Sequence, residues 1–160
     1  MFNPDTAPYA EAFRRQAEAS ARSLGMELVA FPVRNDAEIE RAMTAVGREA
    51  GGGLIVLPDA TTNTRSELII ALAARHRVPA LYAYAFQAAG GGLISYGVDV
   101  AESFRSAASY ADRILRGEKP ADLPVQAPVK FLLVVNLKTA KALGLDVPWI
   151  LQQRADEVIE

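Results

Sequence analysis

The chain has 160 residues, 51% hydrophobic and 22% charged, with a net charge of −2 from 17 basic and 19 acidic residues. That length supports one domain with a sizeable core, and neither the charge balance nor any basic cluster provides a nucleic-acid footprint, so no nucleic-acid partner is expected. Cysteine is absent, which excludes disulfides and thiolate chemistry; no apolar run approaches the roughly 18 residues that span a bilayer.

Met1 to Asn3 reads as the tail of a strand, and Asn3-Pro4-Asp5-Thr6 as a turn in which Asp5 or Thr6 caps a helix. Tyr9, Phe13, Ala17, Ala21 and Leu24 keep helical spacing on one face, and Gly25 ends that helix. Met26 to Val33 is the next predicted strand, with Pro32 marking its exit. Asn35 or Asp36 caps a second helix whose inward stripe is Ile39, Met43 and Val46. The run from Gly53 to Leu57, closed by Pro58, reads as a strand buried on both faces. Asn63 or Thr64 is expected to cap a third helix ending at His76. Val78 to Tyr84 is a further strand, and Leu93 to Tyr96 a short one after a glycine loop.

Val100 to Arg116 is a fourth helix with Phe104, Ala107, Ala111, Ile114 and Leu115 inward, stopped by Gly117. Glu118 to Pro128 is an extended connection with several prolines. Phe131 to Val135 is a strand, Asn136 caps a short helix ending at Leu143-Gly144, and Pro148-Trp149 opens a last helical segment. Strands alternating with helices predict a doubly wound α/β fold, with a mostly parallel sheet in the order 2-1-3-4 and helices on both faces.

In such a sheet, ligands collect at the carboxyl ends of the strands. That places Asn3, Asp5, Pro58, Asp59, Thr61 and Thr62 at one rim, with Tyr84 and Phe86 after the next strand. The aromatic pair suits stacking on a flat or apolar group. Amides around Thr64 to Ser66, at the expected start of the third helix, suit a carboxylate. Asp59 reads equally as a turn residue or local cap, Asp99 first as the cap of the fourth helix, and Tyr82 as core. Asp5 and Asp59 together also match the acidic pair of a receiver-like Mg²⁺ module, although that pattern wants a lysine where Tyr84 and Tyr96 stand. His76 is the one histidine, no G-x-S-x-G occurs, and no metal-ligand spacing appears. No enzyme, cofactor or metal is therefore expected.

The segments SYG-x-D, RILRGEKPADLPV and NLKTAKALGL, together with the terminal RADEVIE, resemble the C-terminal half of ABC-transporter substrate-binding proteins. The branch is the one related to tryptophan- and tyrosine-binding lipoproteins, and NPD and GLIVLPD match its second lobe. The resemblance implies one lobe of a type I periplasmic-binding fold, closing with another lobe on a small-molecule solute and delivering it to ABC permease subunits. It implies a periplasmic location for the full-length protein, although the start MFNPDTAPYAEA has no signal-peptide pattern and this chain as written would not be exported.

By the same resemblance, Pro58 to Thr62 is the ligand loop, and Ser95, Tyr96 and Asp99 sit where the chain passes the hinge. DATTNTR departs from the asparagine-containing loop of the aromatic-amino-acid binders, so ligand identity does not carry over. Residues 1–99 are expected to form the ligand-binding lobe. Residues 100–160 are expected to comprise a hinge-recrossing helix, connection, strand and tail, packing on the absent first lobe, on a second copy in a homodimer, or back on this lobe.

Overall fold

The structure, a computed structural model, describes residues 1–160. In chain order it contains α1 (Ala10–Ser23), α2 (Asp36–Val46), β1 (Leu54–Ile55), α3 (Ala60–Thr64), α4 (Ser66–His76), β2 (Ala80–Tyr82), α5 (Ala85–Ala89), β3 (Ile94–Val98), α6 (Val100–Leu115), β4 (Phe131–Asn136), α7 (Leu137–Leu143), α8 (Trp149–Arg154) and β5 (Glu157–Ile159). The five-stranded sheet runs β1-β2-β3-β4-β5. Every neighbouring pair is parallel except β3 with β4, which is antiparallel. This is the mostly parallel α/β architecture expected from the alternation of strands and helices.

The sheet continues beyond β1 through two short extended segments. Met1 N donates to Ile55 O at 2.7 Å, and Leu57 N donates to Met1 O at 3.0 Å. On the far side, Phe2 N donates to Phe31 O at 3.2 Å and Val33 N to Phe2 O at 2.8 Å. Residues 31–33, 1–3, β1 and β2 therefore lie side by side in the expected 2-1-3-4 order. The winding direction reverses after Val33, so right-handed crossovers place α1 and α2 on opposite faces.

The predicted strand over Met26 to Val33 shrinks to its last residues. Only Phe2 and Pro32 form a bridge, and Met26 and Val29 are exposed. Its neighbour supplies only the short segment at Met1 to Asn3, and Pro32 has no N–H to donate.

One face of the sheet carries the core. Ile39, Met43 and Val46 of α2 meet Ile69, Leu72 and Ala73 of α4 over Leu54, Val56, Ala80 and Tyr82. The expectation that β1 is buried on both faces is corrected. Leu54 and Val56 are inside, but Ile55 is 48% exposed, because α1, on the other face, buries only Ala10 and Ala21.

Asn35 Oδ1 accepts Glu38 N at 3.0 Å, which starts α2 as expected. The third helix starts earlier than Asn63 or Thr64. Asp59 caps α3, Arg65 (φ −107°, ψ 18°) breaks the helix, and α4 resumes with no side-chain cap. Thr64 Oγ1 bonds back to Ala60 O at 2.9 Å, a contact that competes with the helical ladder and bends it. Arg65 N is hydrogen-bonded to Thr61 O at 3.1 Å, so residues 64–66 do not offer the row of free amides expected for a carboxylate.

β4 and β5 lie beyond residue 99 in sequence, yet they are hydrogen-bonded members of the same sheet. Asn136 begins α7 as expected, accepting Thr139 N at 3.0 Å, and its amide also donates to Ala88 O at 3.0 Å. Gly144, with φ +74°, ends α7 in the left-handed conformation that glycine adopts without penalty.

α6 runs over the expected residues, but no residue of it is buried. Phe104 is 72% and Leu115 87% exposed, so the expectation that they face inward, and the alternative that α6 folds back on this lobe, are both corrected. The helix leans only on the connection that follows it. Tyr110 donates its hydroxyl to Pro124 O at 2.5 Å, and Arg113 Nε donates to Glu118 Oε2 at 2.6 Å. A groove of about 600 Å³ lies between α6 and residues 126–130. No helix is long and apolar enough to cross a membrane.

Candidate functional site

The chain reverses its winding between the segment at Met1 to Asn3 and β1, and the carboxyl ends of those two strands are Asn3 and Pro58-Asp59. A crevice at such a switch point is where ligands bind in open α/β sheets. The residues there form one hydrogen-bonded unit. Asn3 N donates to Asp59 Oδ2 at 3.0 Å, and Asn3 Nδ2 donates to Thr61 Oγ1 at 2.7 Å. Thr62 N and Thr6 Oγ1 both donate to Asp59 Oδ1, at 2.9 and 3.2 Å. Thr62 Oγ1 donates to Leu57 O at 2.7 Å.

All four central residues are buried: Asn3, Asp59, Thr61 and Thr62. Asp59 is thus the cap of α3 and the tie between two strand ends, with both carboxylate oxygens engaged from within the chain. The structure brings Asn3, Pro58, Asp59, Thr61 and Thr62 together as the sequence suggests, but as a floor rather than as reaching side chains.

Tyr84 and Phe86 follow β2, the strand paired with β1. Tyr84 lies at the start of α5, where its backbone N–H donates to Gln87 Oε1 at 3.1 Å. It stacks on Phe86 with centroids 5.8 Å apart and planes 14° apart, and Phe86 is 56% exposed. Tyr82 is buried in the core as expected. Burial leaves its hydroxyl without a hydrogen-bond partner and raises its pKa.

One residue of this rim lies outside the place its spacing predicts. Tyr9, assigned by spacing to the inner face of α1, is its N-terminal flank and is 37% exposed. Its hydroxyl donates to Pro58 O, and its ring meets Phe13 edge-on at 5.6 Å. Burial, the Asp59 carboxylate and Tyr84 together raise its pKa, which places its hydroxyl within electrostatic range of both.

Tyr96 and Asp99 belong to the β3–β4 ladder instead. Tyr96 stacks on Phe131 at 5.7 Å, and Ser95 is buried with its hydroxyl unpaired. Asp99 Oδ1 accepts Glu102 N at 3.1 Å, and Lys130 Nζ stands 2.9 Å from Asp99 Oδ2. The Lys130 ammonium first, and the Glu102 backbone N–H next, hold the Asp99 carboxyl below its ordinary range. A carboxyl with a depressed folded-state pKa stabilises the fold above its unfolded value of about 3.9 and loses that contribution as pH falls through the folded value. Lys130→Met should therefore make the fall in urea midpoint between pH 5 and pH 3 shallower; an unchanged slope would remove Lys130 as the cause.

Asp5 and Asp59 do not converge on a metal. Asp5 is paired with Arg34 at 3.0 Å in the open, Asp59 is enclosed by neutral donors, and no acidic or histidine cluster of metal-binding size occurs. The receiver-like alternative therefore finds no support in the geometry.

Comparison with known proteins agrees with this architecture. No curated protein matches. Among solved structures, a conserved domain protein from Vibrio cholerae O1 biovar El Tor str. N16961 superposes with a TM-score of 0.84 at 26% identity, over 98% of this chain and 52% of its own. The ABC domain in complex with L-Trp from Streptococcus pneumonia gives 0.80 at 23% identity, over 94% and 50%. The ligand-free, open structure of a substrate-binding protein with adhesive properties from Clostridium difficile gives 0.64 at 20% identity, over 94% and 50%. The chain spans about half the length of each of these structures. The family model described as ABC transporter substrate binding protein matches residues 2–159, and the chain therefore belongs to the ABC transporter substrate-binding proteins, which are binding components rather than enzymes.

Proposed function

We propose that this chain forms one wall of a hinged clamp that captures a small organic solute, such as an amino acid or a related small organic acid, for an ABC importer. The observation that carries the reading is the buried Asn3–Asp59–Thr61 network at the switch point, on the sheet edge where the stacked Tyr84 and Phe86 follow the next strand. The solute sits at that rim, against Tyr84 and Phe86, with Pro58 to Thr62 shaping the base.

The bare stripe on α6 suits a second lobe. Apolar residues left in solvent over that length ordinarily mark a contact surface, and the solved relatives are about twice as long as this chain. Residues 1–99 are then the ligand-binding lobe, and α6 with the following connection is the portion that reaches across the hinge, with β3 and β4 as its strands. In this reading the opposing lobe, rather than a second copy, covers that surface. The permease subunits are the partners of the closed clamp, and the periplasm is its place of work.

A single wall buries far less of a ligand than a closed site does. Titration calorimetry of this chain against amino acids should therefore find dissociation constants of about 1 mM or weaker. Micromolar affinity from this chain alone would overturn the clamp. Mass spectrometry of the solute carried by the longer protein would identify the ligand.

A further inference from the structure

Two aromatic pairs lie near the loop from Pro58 to Thr62, with Tyr9, Phe13 and Phe86 exposed and Tyr84 half-buried, and the charge behind them is of one sign. Tyr9 is pinned by its bond to Pro58 O, with Phe13 against its edge. Tyr84 and Phe86 present nearly parallel faces. Beneath lies the Asp59 carboxylate, 4% exposed, whose partners are the neutral donors Asn3 N, Thr62 N and Thr6 Oγ1.

No side-chain cation balances it. Arg34 is engaged with Asp5 at 3.0 Å and Arg65 with Asp36 at 2.5 Å. The Met1 amine, whose pKa burial lowers to about 5, donates to Ile55 O at 2.7 Å.

This combination sorts ligand ends by physics. A carboxylate meets a negative field and no cation. A small ammonium keeps its water, because the carboxylate that could replace that water is buried and occupied. An alkylated ammonium is weakly hydrated, is attracted to ring faces, and feels the Asp59 charge without touching it. We propose that the end of the solute facing this lobe is an N-alkylated or quaternary ammonium group, held by the faces of Tyr9, Tyr84 and Phe86 in the field of Asp59. This deepens the clamp and rests on that reading.

The test is an NMR titration of the isotope-labelled chain with choline, with its uncharged isostere 3,3-dimethylbutan-1-ol, and with tryptophan. Choline should move the signals of residues 58–62 and 84–86 with an apparent dissociation constant about fivefold lower than that of the isostere. Phe86→Leu, at a position already exposed, should remove that advantage while the backbone spectrum elsewhere stays unchanged. Equal affinity for choline and its isostere, or silence from choline at any concentration, overturns the proposal. Tryptophan moving the same signals while choline does not would reject the ammonium and leave the clamp standing. Silence from all three would remove this rim as the solute site.

Discussion

Asp59→Ala lowers the unfolding free energy of this chain by about 2–4 kcal/mol, the sum of a lost helix cap and a buried strand-end N–H left without its acceptor. The effect is this large because one carboxylate serves separate elements at once. Oδ1 holds Thr62 N at the start of α3 and the Thr6 hydroxyl, and Oδ2 holds the N–H of Asn3 on the neighbouring strand. At 4% exposure, water cannot take over those donors. Asp59→Asn keeps a single acceptor oxygen and should cost roughly half as much. Urea unfolding followed by circular dichroism reads both variants, and an alanine variant within about 0.5 kcal/mol of the parent, the range of ordinary surface substitutions, would mean that the network contributes nothing. The same result bears on the clamp, since a residue whose loss loosens the floor affects binding without meeting the solute.

Gly97→Ala should be more damaging still. A Cβ at Gly97 would sit 1.9 Å from Ala83 O and 2.9 Å from Ala83 C. Both obstacles are backbone, so no rotamer relieves them; β3 must move away from the chain that follows β2. Gly97 pairs with Leu132 on its other side, so the displacement would spread into β4. A cost of about 3 kcal/mol or more is expected, at the upper end for overpacking, read as loss of soluble protein or of a cooperative transition. Gly97→Ala with the parent's midpoint would contradict the close approach of these strands.

Much of this fold was legible because local chemistry decided it. The caps at Asn35, Asp99 and Asn136 all accept the expected backbone amide. The 2-1-3-4 order of the first strands is the one expected of a doubly wound sheet. Tertiary setting decided the rest. The spacing of Phe104, Ala111 and Leu115 announces an apolar face but carries no information on what covers it, and in this chain nothing does. Asp59 after a proline reads alike as ligand or cap; only its distances to Asn3 and Thr62 separate the two roles. Five small and polar residues after Pro58 looked like loop, yet Asp59 starts a helical turn there that displaces the expected cap at Asn63 or Thr64. Tyr9 fits a helical stripe by arithmetic, while the bond to Pro58 O holds it at the rim.

The antiparallel ladder of β3 with β4 has a mechanical consequence. The chain leaves along β3 at Val98 and returns along β4 at Phe131, a directly paired position, and Asp99 N donates to Lys130 O at 2.9 Å just beyond it. Everything from Val100 to Val129 thus hangs from two struts fastened side by side. A body on a single strut can pivot and spin; one on two coupled struts bends readily about the line across them and resists torsion. Whatever rides on α6 would therefore swing like a door, returning to the same alignment each time it shuts.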